Sequence, residues 1–150
     1  MNLERSVEIL SDLIGFPTVS SDSNLDLIEY AGEILETLGA RTELTYDDQG
    51  EKANLFATLG PETDGGFVLS GHTDVVPVEG QPWTVQPFTA TASRDRIYGR
   101  GACDMKAFIA CALAMAPKFR AADLKRPVHF ALSFDEEIGC LGAPLMLERL

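Results

Sequence analysis

The chain has 150 residues, of which 45% are hydrophobic and 23% charged, a balance typical of a globular chain with a packed core. Its 23 acidic residues outnumber its 12 lysines and arginines, which gives a formal net charge of −11. This charge argues against nucleic-acid binding, because neutralising phosphates requires a basic patch. A chain of this length can bury a sizeable core by itself, so we predict one domain.

The apolar runs and the cysteines indicate the cellular compartment of the protein. Residues 107–116 form the longest apolar run, about half of the ~20 residues that a membrane span requires, and predict a buried helix. The N-terminal segment has neither the basic start nor the continuous apolar stretch of a secretory signal. Cys103, Cys111 and Cys140 predict reduced thiols, each typical of a small buried apolar side chain. We therefore expect a cytoplasmic protein without a membrane partner.

Apolar periodicity predicts two helices at the start of the chain. Apolar residues recur at helical spacing over residues 3–14 and again over residues 27–38. Ser23 is a candidate cap for the second helix, and Gly39 is expected to end it.

Strands and helices alternate along the rest of the chain. Strands are predicted at residues 41–46, 54–59, 67–70, 89–92, 96–98 and 127–134, with hairpins joining the first two and the fourth and fifth. Helices are predicted at residues 105–118 and 143–150, and residues 76–87 predict a structured loop. The continuous apolar run at 67–70 is typical of a strand buried on both faces of a parallel sheet. The alternation predicts an α/β fold.

Polar side chains follow three of these segments. His72 and Asp74 follow one strand, Asp104 follows a glycine-rich turn, and Asp135, Glu136 and Glu137 follow the last strand. Because sites in open α/β sheets form at the carboxyl ends of strands, we expect a common site. Imidazole with carboxylates suits zinc or a similar cation, which would also relieve their mutual repulsion. Taken singly, each residue is more typical of a turn, a helix cap or a solvated loop.

Two other kinds of site fit the sequence poorly. A dinucleotide fingerprint needs a small residue three positions after Gly101, where Asp104 would repel a pyrophosphate. Neither Ser133 nor Cys103 has the glycine-flanked elbow of a hydrolase nucleophile. His129 lies within an apolar strand and is more typical of a packed or hydrogen-bonded core histidine than of a base.

Three segments resemble the signature blocks of the M20 metallopeptidase family, namely SGHTDVVP at 70–77, YGRGACDMK at 98–106 and SFDEEIGCLG at 133–142. The resemblance implies a zinc-peptidase-like catalytic domain with a central mixed sheet flanked by helices. Residues 1–150 would be the N-terminal part of it, without the family's dimerisation domain, which closes the site, and without the C-terminal part of the catalytic domain. The apolar pattern still running at Leu150 fits an incomplete chain, and a homodimer is expected only for the full-length enzyme.

The resemblance also implies a site with two zinc ions, for which cobalt can substitute. By matching position, His72 would bind one metal, Glu137 the other, and Asp104 both. Asp74 would hold the His72 ring in orientation, as metal-bound imidazoles usually require. Glu136 would be the general base and would later protonate the departing amine.

The implied reaction is hydrolysis of the amide bond of a small N-acyl amino acid. Cys103 and the GCLG segment at 139–142 are most similar to family members that remove the acetyl group from N-acetylornithine in arginine synthesis. Members that act on succinyl-diaminopimelate or on a wider range of N-acyl amino acids share the same blocks and remain alternatives. A non-catalytic metal-binding module is another alternative, because the family's further carboxylate and C-terminal histidine lie outside these residues.

The resemblance to the family has further consequences for the peptide backbone, for metal binding and for the titration of the site. The resemblance suggests a cis peptide bond between Asp104 and Met105. With two implied protein ligands for each metal, the 150-residue chain should bind zinc weakly and be inactive, and crowding should raise the pKa of one carboxylate.

Overall fold

In a computed structural model, which describes residues 3–20 and 22–150, helices and strands alternate as the periodicity predicts. The helices of the described chain are α1 Leu3–Gly15, α2 Leu25–Thr37, α3 Lys106–Ala121 and α4 Gly142–Leu147. Its strands are β1 Arg41–Tyr46, β2 Ala53–Leu59, β3 Phe67–His72, β4 Thr91–Ser93, β5 Arg96–Tyr98 and β6 Val128–Ser133. The predicted α/β fold is confirmed, with most element ends displaced by a few residues.

Four strands of the described chain form a mixed sheet in the order β1-β2-β6-β3. The β1–β2 and β2–β6 pairs are antiparallel, whereas β3 and β6 run parallel. In that parallel pair Phe67 lies opposite Val128 and His72 lies opposite Ser133, so the two strands end side by side. The strands β4 and β5 form a separate two-stranded ribbon, as the second predicted hairpin requires.

One continuous core lies between the sheet and helices α1, α2 and α3. Alternate residues of β2 and β6 point into it, as the two-residue period of a strand requires. Its buried members include Ile9, Leu13, Leu27, Leu35, Leu55, Ala57, Leu113, Phe130 and Leu132. The other face of β2 meets α4, where Asn54 Nδ2 donates to the Gly142 carbonyl at 2.9 Å. Helices therefore flank the mixed sheet on both faces, as expected.

The long apolar run becomes part of α3. Ile109, Ala110 and Leu113 on this helix are buried in the core, which confirms the prediction of a buried helix. No helix in the described part of the chain is both long and apolar enough to cross a membrane.

Strand β3 differs from its prediction. Its parallel pairing is as expected, but it lies at the edge of the sheet, and Phe67 and Val68 are 75% and 56% exposed. Burial on both faces is therefore wrong for this strand, where only Gly71 and His72 at its end are buried. An apolar run favours a strand, but only the pairing decides whether that strand is central or at an edge.

The predictions for the cysteines and for His129 in β6 have opposite outcomes. All three cysteines are free, but Cys103 and Cys140 are exposed, so their assignment as buried side chains is wrong. Both lie in loops at strand or helix ends rather than on a core face. His129 is bonded through Nδ1 to Thr58 Oγ1 at 2.8 Å and stacks on Phe56, which confirms a packed, hydrogen-bonded histidine.

The start of α2 anchors the region around the site. The cap residue is Asn24 rather than Ser23, whose Oγ accepts a hydrogen bond from the Leu25 amide. The Asn24 side chain donates to the Ala53 carbonyl at 2.8 Å and to Thr73 Oγ1 at 2.9 Å, and it accepts from the Ala53 amide at 2.9 Å. It thus ties the helix to β2 and to the segment that follows β3.

Candidate metal centre

His72 is the last residue of β3, and its buried ring is held from one side. Nδ1 lies 3.0 Å from the Asp74 main-chain carbonyl and 3.4 Å from Asp74 Oδ1. A carbonyl only accepts, so Nδ1 carries a proton and donates it to this bond. Nε2 therefore points to the opposite side, where it lies 3.1 Å from Asp104 Oδ1 and 3.8 Å from Glu136 Oε2.

Asp74 links the His72 ring to the loop that follows β6. Its Oδ1 accepts from the Glu136 amide at 3.0 Å, and its Oδ2 accepts from the Glu137 amide at 3.2 Å. Ser20 Oγ also donates to Oδ2, at 2.7 Å. A buried carboxylate with this many donors is well satisfied and fixes the groups that contact it.

The glutamate turn comprises residues 135–141 and returns the chain toward His72. Asp135 begins it with a φ of 54°, and the amides of Gly139 and Cys140 both donate to the Glu136 carbonyl at 3.1 Å. The turn brings Glu136 and Glu137 to the end of β6, beside the end of β3.

Three side chains converge closely enough to share one metal ion. Within the described chain, one ligand atom each from His72, Glu136 and Glu137 all lie within 4.8 Å of one another. Sequence reasoning places Glu137 on the metal and Glu136 toward water, whereas the geometry brings both carboxylates to the ring. The structure thus brings His72 together with both predicted glutamates.

Asp104 approaches from the loop before α3. Its side chain is 77% exposed and contacts the Nε2 side of the His72 ring. The Asp104–Met105 peptide is cis, which confirms that prediction, and Met105 Sδ accepts from the His72 amide at 3.3 Å. Asp104 therefore contacts the histidine of the cluster but is not one of the three residues whose ligand atoms all lie within 4.8 Å of one another.

The electrostatics of the cluster favour a cation. Hydrogen bonding to the Asp74 side chain, opposed by burial, raises the pKa of His72 to about 9. Burial alone would raise the pKa of Asp74, but bonds from His72, Ser20 and two backbone amides outweigh it and lower this pKa to about 2. Burial raises the pKa of Glu137; the charge of His72 opposes this rise, and the nearby charges of Asp104, Glu136 and Asp74 add to it. A positive charge among these carboxylates would reduce their repulsion.

The donor set also fits a metal by chemistry. Because Nδ1 is bonded to a carbonyl, the lone pair of Nε2 is free for a ligand once that nitrogen is deprotonated. Imidazole nitrogen and carboxylate oxygen are ligands that zinc accepts in proteins. His72, Glu136, Glu137 and Asp104 could therefore hold one or more divalent ions.

Sequence reasoning missed several residues around the cluster. Ser20 and Lys52 lie far from the signature blocks and belong to no recognisable motif. Asp135 is the first of the three carboxylates after the last strand, but its side chain pairs with Lys52 at 2.7 Å instead of facing His72 with the two glutamates. Lys106 follows the glycine-rich turn and is fully buried, with Nζ donating to the Phe16 carbonyl at 2.6 Å, and burial lowers its pKa to about 8.

A mixed sheet covered by helices, with a histidine and carboxylates at the ends of adjacent strands, defines the zinc-peptidase-like α/β class. Comparison with protein families agrees with this. Residues 68–150, more than half of the chain, match the model of peptidase family M20/M25/M40. The chain belongs to this family, which confirms the resemblance seen in the signature blocks.

Two curated relatives are similar to almost the whole of this chain. The chain is 36% identical over 150 residues to an acetylornithine deacetylase of Pasteurella multocida, covering 95% of this chain and 39% of the relative. It is 41% identical over 144 residues to an acetylornithine deacetylase of Myxococcus xanthus, covering 93% of this chain and 37% of the relative. The chain thus spans about two fifths of the length of these relatives.

Solved structures show the same fold. Human carnosine dipeptidase 1 aligns with a TM-score of 0.80 at 25% identity, over 97% of this chain and 35% of that one. An M20 family metallo-carboxypeptidase from Sulfolobus solfataricus aligns with a TM-score of 0.77 at 26% identity, over 96% of this chain and 34% of that one.

Proposed function

We propose that this chain carries part of the active site of a zinc-dependent amidohydrolase that removes the acetyl group from N2-acetyl-L-ornithine, a step of arginine synthesis. The observation that carries the proposal is the convergence of His72, Glu136 and Glu137 within 4.8 Å, with Asp104 on the same ring. The substrate rests on the relatives named acetylornithine deacetylase at 36% and 41% identity. A small-molecule substrate also agrees with the negative net charge of the chain, which disfavours nucleic-acid binding.

The proposed metal ligands are those that the family resemblance implies. His72 and Glu137 would hold one zinc ion each, with Asp104 shared between them, and cobalt could replace zinc. When bound, such ions polarise the amide carbonyl and lower the pKa of water at the site. Carboxylates that repel one another in the protein alone are the groups that such charges would stabilise.

Glu136 is proposed as the group that moves the proton. Its carboxylate is exposed and lies at the mouth of the cluster, 3.8 Å from His72 Nε2. It takes one proton from a water molecule as the water oxygen bonds to the acyl carbon. It then gives that proton to the amide nitrogen as the carbon–nitrogen bond breaks, and the second proton of the water passes from the new carboxyl group to the amine, which leaves acetate and an ammonium group.

Asp74 is proposed as a positioning residue rather than a ligand. It contacts the His72 ring on the Nδ1 side, away from the cluster, and also accepts from the amides of both glutamates. One buried carboxylate would then align the imidazole with the turn that carries the base. Partners of this kind commonly affect metal affinity by about 10–100-fold.

The substitution Glu136→Gln tests the division of roles. We expect hydrolysis of N-acetylornithine to fall by on the order of a hundredfold or more, with zinc content nearly unchanged, because the amide cannot carry the proton. The measurement uses a longer chain that includes the remaining family ligands, with zinc content and hydrolysis determined on the same sample. Loss of zinc together with activity would make Glu136 a ligand and overturn its role as the base.

Substrate and class are tested in the same experiment. N-succinyl-diaminopimelate and a set of other N-acetyl amino acids serve as competing substrates, and a preference for either would replace acetylornithine. Zinc binding without hydrolysis of any of them would instead favour a non-catalytic metal-binding module.

A further inference from the structure

We propose that Lys52 and Asp135 are a positioning pair that sets the direction in which the glutamate turn presents Glu136 and Glu137 to His72. The inference deepens the proposed function, on which it rests for its chemical meaning. It adds two residues to the site for which the signature blocks suggest no role of this kind.

The pair is buried and geometrically complete. Lys52 Nζ lies 2.7 Å from Asp135 Oδ1 and 2.8 Å from Oδ2, and the two side chains are only 14% and 9% exposed. Nζ also donates to the Ser20 carbonyl. An ammonium group has three N–H donors, so these three acceptors satisfy it fully.

Asp135 is the residue at which the chain leaves β6 and enters the glutamate turn. Its φ of 54° lies in the left-handed region, which non-glycine residues other than Asn and Asp seldom adopt. The next two amides donate to Asp74, and the Leu141 amide donates to the Asp135 carbonyl at 3.1 Å. A side-chain anchor at Asp135 therefore sets the starting direction of the segment that carries both glutamates.

The same network reaches the other side of the site. Ser20 accepts from Lys52 through its carbonyl and donates to Asp74 through its hydroxyl. Asp74 in turn contacts the His72 ring and the turn amides. Lys52 thus joins the two supports of the cluster, the buried aspartate and the turn, through residues up to 83 positions apart.

Charge explains why a lysine is suited to this position. Asp135 is buried beside a turn that already carries two carboxylates, and an unpaired buried charge there would be costly. Without Lys52, the Asp135 carboxylate gains by turning toward water, and the backbone that follows turns with it. The pair therefore acts on the direction of Glu136 and Glu137 without touching either carboxylate.

The test compares four variants of this chain with the unsubstituted protein. Lys52→Met removes the cation, Lys52→Arg restores it, and Asp135→Asn keeps a residue that tolerates a positive φ while removing the ion pair. Lys125→Met is the matched control, because Lys125 pairs with Asp123 on the surface, where its side chain is 82% exposed.

The decisive readout is amide hydrogen exchange resolved by residue. In Lys52→Met and Asp135→Asn we expect exchange at the amides of Glu136 and Glu137 to accelerate on the order of tenfold, while amides of β2 and β6 keep their protection. Lys52→Arg should restore most of the protection, and Lys125→Met should change nothing. In a longer chain that includes the remaining family ligands, zinc affinity should fall by about 10–100-fold in Lys52→Met and Asp135→Asn, as for other groups that orient ligands.

Each result decides the proposal. Unchanged exchange at Glu136 and Glu137 in Lys52→Met overturns it, and so does faster exchange spread evenly over the sheet, which would mean a merely structural pair. Faster exchange confined to the turn with unchanged zinc affinity also overturns the proposal, because the two carboxylates would then still be presented to the metal in the same direction. If the longer chain that includes the remaining family ligands binds no zinc, the proposed metal function is overturned, while the exchange data still decide whether the pair positions the turn.

Discussion

Two aspartates touch the same imidazole from opposite sides, and they differ in almost every other respect. Asp74 is buried, lies on the Nδ1 side and satisfies a hydroxyl and two backbone amides as well. Asp104 is 77% exposed and lies on the Nε2 side, and the His72 ring is the part of the cluster that it contacts. The difference separates a carboxylate that orients the site from one that is free to bind an added ligand. Burial with saturated hydrogen bonds fixes a group, whereas exposure leaves its oxygens available.

Removing the buried aspartate should have the largest effect on stability. Asp74→Ala leaves the Ser20 hydroxyl and two turn amides without their acceptor and removes the carboxylate beside the His72 ring, so we expect the free energy of unfolding to fall by about 3–5 kcal/mol. Urea unfolding followed by circular dichroism measures it. Asp104→Ala is the matched control, and an equal loss in both variants would erase the distinction between the two aspartates.

The pH dependence of the metal-free chain should show the same buried pair. The pKa of Asp74 is lowered to about 2 from its ordinary 3.8, so its stabilising contribution is present above pH 3.8 and is lost as the pH falls toward 2. The pKa of His72 is raised from 6.5 to about 9, so its contribution is complete below pH 6.5 and is lost as the pH rises toward 9. Each unit of pKa difference corresponds to about 1.4 kcal/mol.

Unfolding measured in a chelator at pH 3, 5, 7 and 9 tests this dependence. We expect the greatest contribution of the pair near pH 5 and a smaller one at either extreme. His72→Ala should abolish the decline between pH 6.5 and 9 that is specific to this ring. A decline of unchanged size in that variant would assign the pH dependence to other groups.

The smallest effect on stability is expected at the exposed aspartate. Asp104→Asn should change the free energy of unfolding by no more than about 1 kcal/mol, because Asp104 contacts His72 from a side chain that is 77% exposed. Zinc affinity should nevertheless fall measurably, because one anionic oxygen on the Nε2 side of His72 is replaced by a neutral amide. Calorimetric titration with zinc measures the second effect. Unchanged zinc affinity would remove Asp104 from the proposed ligands.

Local patterns in the sequence explain most of the framework. Apolar spacing in α1 and the alternation in β1 and β2 report on which residues face the core, so these elements match their predictions closely. The parallel pairing of β3 was also expected, but its exposure was not. Whether a strand has a neighbour on its second side depends on the pairing of the whole sheet, and no residue of β3 encodes that alone.

The candidate site likewise has a part that the sequence predicts and a part that it does not predict. The residue types at His72, Asp104 and the glutamate pair were readable from the sequence, because metal chemistry restricts ligands to a few side chains. Their assembly was readable only as an expectation that strand ends meet. The sequence by itself determined the elements, the family and the chemical character of the centre, since all three depend on local periodicity and residue type.

Tertiary structure alone decided the supports of that centre. Three contacts support the centre: the Lys52–Asp135 pair, the bond from Ser20 to Asp74 and the approach of Glu136 to His72. Each of them joins residues that lie 54 to 83 positions apart in the chain. Lys125 and Asp123 also form a pair, but on the surface, and nothing in their residue types distinguishes them from Lys52 and Asp135. Such contacts depend on which surfaces the packed core brings together, and that is a property of the completed fold.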